Sequence, residues 1–186
     1  MKKSNFLKVS IFIFTLFIGQ TYFAQKTKMV GGAEMFPSKN IIENAVNSKD
    51  HTTLVAAVKA ADLVATLSGD GPFTVFAPVN KAFEMLPEGT VATLLKPENK
   101  KQLQTILTYH VVAGKVSAAD LIKMIKDNDG KVAIKTVSGG TITAWMKDKK
   151  VYISDENGGK AVVTIADVNQ SNGVIHVIDS VLLPKS

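Results

Sequence analysis

The spacing of apolar residues changes near residue 130, and this change limits the folds that the chain can adopt. Upstream, Leu103, Ile106, Leu107 and His110 fall at offsets 0, 3, 4 and 7, on one face of a helix. Downstream, apolar and polar residues alternate, as they do in half-buried strands. The alternating segments are "KVAIKTV", "TITAWMK", "KVYIS" and "AVVTIAD", followed by a final strand "GVIHVIDSVLL". Helices around one short β-rich run, "FTVFAP", and then a series of strands predict an α+β domain.

The first 24 residues have the pattern of an export signal. Three lysines, Lys2, Lys3 and Lys8, precede an apolar stretch of 10 residues at 9–18. A bilayer span needs about 20 residues, whereas this shorter stretch fits the apolar core of a signal peptide. We predict a signal peptide over 1–24 with cleavage after Ala24, a flexible leader over 25–39 and one domain over 40–186. The prediction is a secreted, periplasmic or cell-surface protein without a stable membrane span; the alternative is an uncleaved amino-terminal anchor.

Composition excludes several classes of function. All 22 basic residues are lysine, so no arginine can make bidentate contacts with phosphate or guanine. The three lysines of the signal supply half of the formal net charge of +6. Nucleic-acid binding is therefore not expected, although the lysines can attract anionic polysaccharide or lipid. The chain contains no cysteine, which excludes disulfides, thiol nucleophiles and thiolate metal ligands.

Polar residues at helix starts predict where several helices begin. Asn80 can cap a short helix, and Ser117 with Asp120 forms a capping box before the next apolar run. Thr52 or Thr53 can cap an earlier helix.

A search for chemistry-bearing motifs finds no catalytic or metal site. His51, His110 and His176 have no partner at metal-ligand spacing, and "DNDG" at 127–130 departs from a calcium loop. Nucleophile elbow, phosphate-loop and dinucleotide fingerprints do not occur. Trp145 could stack on a sugar, but its alternating strand favours packing. We expect no cofactor and no metal.

Three stretches, taken together, resemble a known family. "FTVFAPVNKAF" at 73–83, "TYHVVAGKV" at 108–116 and "NGVIHVIDSVLLP" at 172–184 occur in the order and spacing of fasciclin-like domains. The resemblance covers about 40–184. It implies a wedge of two β-sheets surrounded by several α-helices, in a secreted or surface-attached protein that mediates adhesion and is not an enzyme.

The resemblance also implies roles for individual residues. Partner contact is implied for Tyr109, His110, Leu107, Val111, Val112, Asp167 and Val168. A structural role is implied for Phe76, Pro78, Asn80, Phe83, His176 and Asp179.

Two functions follow from these residues. The first is a non-enzymatic module that binds an unknown cell-surface protein or a polysaccharide. The alternative is a small-molecule-binding protein or an unrecognised hydrolase with a pocket near Tyr109 and His110. The helical apolar face predicts that His110 is buried, with a ring nitrogen satisfied by a hydrogen bond.

Overall fold

The computed structural model describes residues 26–185 and confirms the α+β class. The α-helices in this part of the chain are α1 (Ile41–Ala45), α2 (Thr52–Ala60), α3 (Val64–Ser68), α4 (Asn80–Glu84), α5 (Thr90–Leu94), α6 (Lys100–Tyr109) and α7 (Ala118–Asp127). The strands are β1 (Lys28–Val30), β2 (Ala33–Met35), β3 (Phe73–Pro78), β4 (Val111–Ala113), β5 (Lys131–Lys135), β6 (Thr141–Lys147), β7 (Lys150–Ser154), β8 (Lys160–Gln170) and β9 (Gly173–Ile178). The predicted signal peptide over 1–24 lies outside the described residues.

The strands form two sheets of unequal size. β1 and β2 make a two-stranded sheet, and the other seven follow the order β4-β3-β9-β8-β7-β6-β5. Only the β3–β9 pair is parallel among these neighbours. The long strand β8 pairs with β7 near its start and with β9 along the rest, with two register shifts on the β9 side. β8 therefore joins the two halves of the large sheet.

Two apolar clusters lie against the large sheet, and β3 and β9 contribute to both. Val75 and Ala77 of β3 belong to a cluster with α1, α2, α3 and α6, whereas Phe76 belongs to a second cluster with α7 and β5–β8. Successive side chains of a strand point to opposite faces. A strand that is buried on both faces reads as a continuous apolar run, which explains the "FTVFAP" and "GVIHVI" segments.

The expected flexible leader is instead part of the folded domain. Residues 26–39 contain the hairpin of β1 and β2, and the side chains of Val30 and Met35 are buried in the first cluster. Gly31 makes the turn with φ of 56°. Three-residue strands are too short to show a period in the sequence, so this correction could only come from the fold.

Helix starts agree with the sequence at some positions and differ at others. Ser117 and Asp120 form the predicted capping box of α7. Helix α2 begins at Thr52 without a side-chain cap from its own N-cap residue, so the predicted Thr52 or Thr53 cap is wrong. Asn80 does not cap α4 either. Its Oδ1 atom accepts a hydrogen bond of 3.0 Å from the N–H of Thr53, and thereby caps α2 from another segment.

None of the helices within residues 26–185 is both long and apolar enough to cross a membrane.

Candidate functional site

The segment that contains Tyr109 and His110 lies where α6 ends and β4 begins. The apolar side of α6 packs into the first cluster through Leu103, Ile106 and Leu107. His110 follows as the C-cap residue and continues that buried side. The helical offsets in the sequence therefore predicted its burial correctly.

His110 uses both ring nitrogens inside the protein. Its Nε2 atom accepts a 3.0 Å hydrogen bond from the N–H of Leu182. This fixes the neutral tautomer in which the Nδ1–H group donates to the carbonyl oxygen of Ile106 at 2.8 Å. Burial lowers the pKa of His110 to about 4. With neither nitrogen available, the imidazole cannot serve as a general base in this arrangement.

Tyr109 is completely buried, and its hydroxyl group both donates and accepts a hydrogen bond within the protein. Its hydroxyl group donates to the carbonyl oxygen of Thr141 at 2.7 Å and accepts from the N–H of Glu156 at 3.2 Å. Burial raises the pKa of Tyr109 to about 12. A Cβ atom on Gly140 would lie 2.7 Å from Cε2 of the ring, so only glycine fits there. Tyr109 thus links the end of α6 to the β5–β8 half of the sheet.

The flanking residues are buried as well. Leu107 and Val111 lie in the first apolar cluster, and Val112 lies in the second. None of the five residues from this segment presents its side chain at the surface. Direct contact with a partner would require the segment to leave the core. We therefore assign this segment a structural role in the fold.

Asp167 and Val168 are likewise part of the architecture. The Oδ1 atom of Asp167 accepts a 2.7 Å hydrogen bond from the N–H of Ala118, in the first turn of α7. Asp167 has a φ of 51°, at the irregular part of β8. Val168 is 1% exposed. The pair thus ties β8 to α7 and the core, with Asp167 half-buried and Val168 buried.

His176 extends the same connection from β9. Its Nδ1 atom accepts from the N–H of Asp167 at 3.3 Å, so the Nε2–H group donates to the carbonyl oxygen of Val116 at 2.9 Å. The ring stacks on Phe76 with centroids 5.6 Å apart. Burial lowers the pKa of His176. Phe76 and His176, for which a structural role is expected, thus lie against each other inside the protein.

Other signature residues also join elements. Pro78 is the last residue of β3 that is paired with β9, opposite Ile178. Asp179 accepts a 2.7 Å hydrogen bond from the N–H of Val162 through Oδ1. Phe83 is half-buried in α4.

Sequence reasoning missed Asn172, which is buried and has a central position. Its Oδ1 atom accepts from the N–H of Ile41, while its Nδ2 group donates to the carbonyl oxygens of Leu67 and Gly69. A single asparagine therefore joins α1, the end of α3 and the start of β9. Asn172 opens the stretch "NGVIHVIDSVLLP", but no local pattern indicated contacts more than 100 residues away.

Asp155 was also missed, and it holds the segment after β9. Its Oδ1 atom accepts from the N–H groups of Asn157 and Gly159, which closes the turn between β7 and β8. Its Oδ2 atom accepts from the N–H of Leu183 at 3.0 Å. The Nδ2 group of Asn157 donates to the carbonyl oxygens of Leu183 and Pro184. Together with His110, these side chains fasten the carboxyl-terminal segment, which forms no strand.

An apolar cavity of about 50 Å³ lies beside His110, under the β1–β2 hairpin. The described residues that line it include Ser48 and His51, and no Asp or Glu. Ser48 Oγ lies 2.8 Å from Nδ1 of His51, while Nε2 of His51 has no hydrogen-bond partner among residues 26–185. Burial lowers the pKa of His51. An apolar cavity of about 150 Å³ is known to bind benzene, so this one is too small for a metabolite-sized substrate.

The arrangement gives no metal centre within the described range. Residues 26–185 contain no group of three His, Asp or Glu side chains placed to hold a metal ion.

Comparison with known proteins gives the family. The sequence matches the fasciclin domain over residues 49–184. Protein sll1483 of Synechocystis is 51% identical over 160 residues, which cover 86% of this chain and 82% of that protein. Immunogenic protein MPB70 of Mycobacterium bovis is 35% identical over 145 residues, which cover 75% of this chain and 66% of that protein.

Longer and more distant proteins share the same domain. Transforming growth factor-beta-induced protein ig-h3 of Sus scrofa is 34% identical over 148 residues, which cover 80% of this chain but 20% of that protein. The fold is similar to that of a FAS1 domain pair from the insect cell adhesion molecule fasciclin I. The TM-score is 0.68 at 21% identity, over 76% of this chain and 50% of the other. From the extent of these matches, we conclude that the chain belongs to the fasciclin domain family.

Proposed function

We propose that this protein is a non-enzymatic interaction module that mediates cell-surface adhesion or binds an extracellular protein or polysaccharide. Family membership carries this proposal, because a protein of the same fold is an insect cell adhesion molecule. The internal use of the candidate reactive groups supports it. The side chains of Tyr109, His110, His176 and Asp167 all make hydrogen bonds within the fold.

The proposed location is outside the cytoplasm, in the periplasm, at the cell surface or in the medium. The support is the lysine-led apolar stretch at the amino terminus. Cell fractionation followed by amino-terminal sequencing tests it. We expect a mature protein that begins at Gln25; recovery of the intact chain in the cytoplasm would contradict the proposal.

The partner is tested in the envelope of the producing cell. Purified protein carrying a photo-crosslinker is incubated at micromolar concentration with native envelope and then recovered, with heat-denatured protein as the control. We expect a specific partner in the recovered fraction and weaker adhesion of a strain that lacks the gene. Absence of both results would remove the proposed function.

The alternative of a small-molecule-binding protein or hydrolase receives little support. Its motivation was the pair of Tyr109 and His110, and it requires a pocket beside them. The cavity beside His110 is small, and both nitrogens of that ring are bonded within the protein. Turnover of ester substrates by the purified protein, lost in the His51→Ala variant, would favour the alternative.

A further inference from the structure

The outer side of β5–β8 carries a distinctive set of side chains. Cross-strand pairing places Lys131, Trp145, Tyr152 and Val162 in one row. Rows on either side contribute further exposed lysines. We use the term lysine–aromatic face for Lys131, Lys135, Lys147, Lys150, Lys160, Trp145 and Tyr152. The opposite side of the same strands packs on α7 and the second apolar cluster, so the lysine–aromatic face points away from the core.

The charge of this face is uniformly positive along the strands. All five lysines are exposed, and strands β5, β6 and β7, with β8 as far as Ala166, contain no Asp or Glu. The ion pairs within residues 26–185 are Lys100–Asp62 and Lys123–Asp127, so none involves these lysines. The nearest acids in sequence lie in the turns. A face of this kind attracts a polyanion and loses that attraction as salt concentration rises.

Two aromatic rings lie in the middle of the lysines. Trp145 and Tyr152 stack on each other with centroids 5.5 Å apart and planes 19° apart, and both are half-buried. Their exposed parts offer an apolar surface beside positive charge. Lys147 and Lys150 pair across neighbouring strands, which lie about 4.8 Å apart, whereas Lys131 and Lys135 are four residues apart on β5, or about 13 Å. The lysines are thus spread over the face, as contact with an extended polymer requires.

The chemistry of the face distinguishes among polyanions. Single-stranded nucleic acid uses separate aromatic rings on which bases stack, whereas these two rings stack on each other, and the chain has no arginine. Stable attachment to a lipid surface combines charge with apolar side chains that enter the lipid. Of the exposed large hydrophobic residues in 26–185, Val137 lies in the turn between β5 and β6, whereas Met29, Phe36, Val46 and Met85 lie outside β5–β8. One valine supplies little apolar surface for insertion. A polysaccharide has sugar rings with apolar C–H faces, and its acidic groups recur along the chain.

We propose that the lysine–aromatic face binds an acidic polysaccharide, one that carries carboxylate or sulfate groups. The lysines pair with the anionic groups, and the exposed parts of Trp145 and Tyr152 contact a sugar ring. This inference rests on the proposed function, for which it specifies the class of partner.

Binding of the purified protein to polygalacturonate, heparin and neutral dextran tests the inference, with affinity measured at low and at high salt. We expect binding to the two acidic polymers and none to dextran. The variant Lys131→Gln/Lys147→Gln/Lys150→Gln should bind about tenfold more weakly. The matched control, Lys81→Gln/Lys101→Gln/Lys126→Gln, removes the same charge from exposed lysines on helices and should bind like the parent protein. Trp145→Ala should weaken binding further than Trp145→Phe.

Several results would overturn the inference. One is an equal loss in both triple variants, which would indicate attraction by net charge alone. Another is tighter binding to a single-stranded oligonucleotide, or to phosphatidylglycerol vesicles, than to either acidic polysaccharide. If neither polysaccharide binds but the envelope crosslinking recovers a protein, then this inference fails and the proposed function stands. If the crosslinking experiment also recovers no partner and the deletion strain adheres normally, then both this inference and the proposed function are wrong.

Discussion

At the scale of single residues, the imidazole of His110 joins the end of α6 to the segment after β9. It follows α6, donates to the carbonyl of Ile106 within that helix, and accepts from Leu182 after β9. Truncation would leave a buried carbonyl and a buried N–H group without partners. A buried polar group without a hydrogen bond costs about 1–3 kcal/mol.

We therefore expect His110→Ala to lower the free energy of unfolding by about 1–3 kcal/mol. Urea unfolding at neutral pH measures it. Lys101→Ala, on the exposed side of the same helix, serves as the control and should change stability little. An unchanged stability in His110→Ala would show that this ring does not hold the carboxyl-terminal segment.

The buried histidines also predict a pH dependence of stability. Burial lowers the pKa of His51, His110 and His176 below the ordinary value of 6.5, to about 4 for His110. Between these values the unfolded chain binds protons that the folded protein does not, so stability falls as pH drops from 6.5 towards 4. The loss from His110 amounts to about 3 kcal/mol. Above pH 7 these groups contribute no slope.

Unfolding free energies of the parent protein and His110→Asn, measured between pH 8 and about 4.5, test this dependence. Asparagine offers a donor and an acceptor but does not titrate in this range. The variant should therefore lose less stability on acidification than the parent. Parallel curves for the two proteins would be inconsistent with a neutral, buried imidazole at position 110.

At this scale the sequence was a partial guide. The offsets along α6 predicted that His110 is buried. They did not indicate that Val111 and Val112 are buried on opposite sides of β4. Helix α6 ends at Tyr109, so a helical period does not apply to these two residues. The partner of His110, Leu182, is 72 residues away. Contacts of that range depend on topology, which no local pattern contains.

At the scale of elements, the docking of the β1–β2 hairpin depends more on Gly31 than on Gly32. Gly31 and Gly32 both have positive φ. A Cβ atom on Gly31 would clash with Ser48 Oγ and lie 2.6 Å from the backbone nitrogen of Asp50, whereas a Cβ atom on Gly32 would meet nothing within 4 Å. The turn packs against the start of the 3₁₀ turn Lys49–His51, and only glycine allows this approach.

Gly31→Ala should therefore destabilise the protein more than Gly32→Ala, by about 1–3 kcal/mol. Both variants carry the backbone strain of positive φ, so the difference isolates the contact with Ser48 and Asp50. Thermal unfolding under identical conditions compares them. Equal destabilisation would mean that the hairpin does not dock as described.

At the scale of the whole molecule, the two apolar clusters depend on shared strands. β3 and β9 contribute side chains to both clusters, and β8 is paired on both of its edges. If these shared strands separate from either cluster, apolar side chains of the other cluster are exposed to water as well. The sequence indicated the strands but not this continuity, since β8 read as the seven residues "AVVTIAD". The strand has 11 residues, and its irregular pairing hides the alternation in the second part.

We expect the protein to unfold in one transition. Trp145 is the single tryptophan and reports on the β5–β8 half, whereas far-UV circular dichroism is dominated by helices that pack on the first cluster. Urea curves from the two signals should superimpose. Separate midpoints would show that the halves unfold independently.

The side-chain bonds that fasten the segment after β9 have a mechanical consequence. A force applied from the carboxyl side would break the hydrogen bonds of Asn157, Asp155 and His110 in sequence, because they hold successive residues of this segment. The next barrier is β9, whose ladders with β3 and β8 resist together. Stretching single molecules from that end should show a short release at low force before the main rupture. A tether attached there would thus lengthen by a few residues before the domain itself begins to unfold.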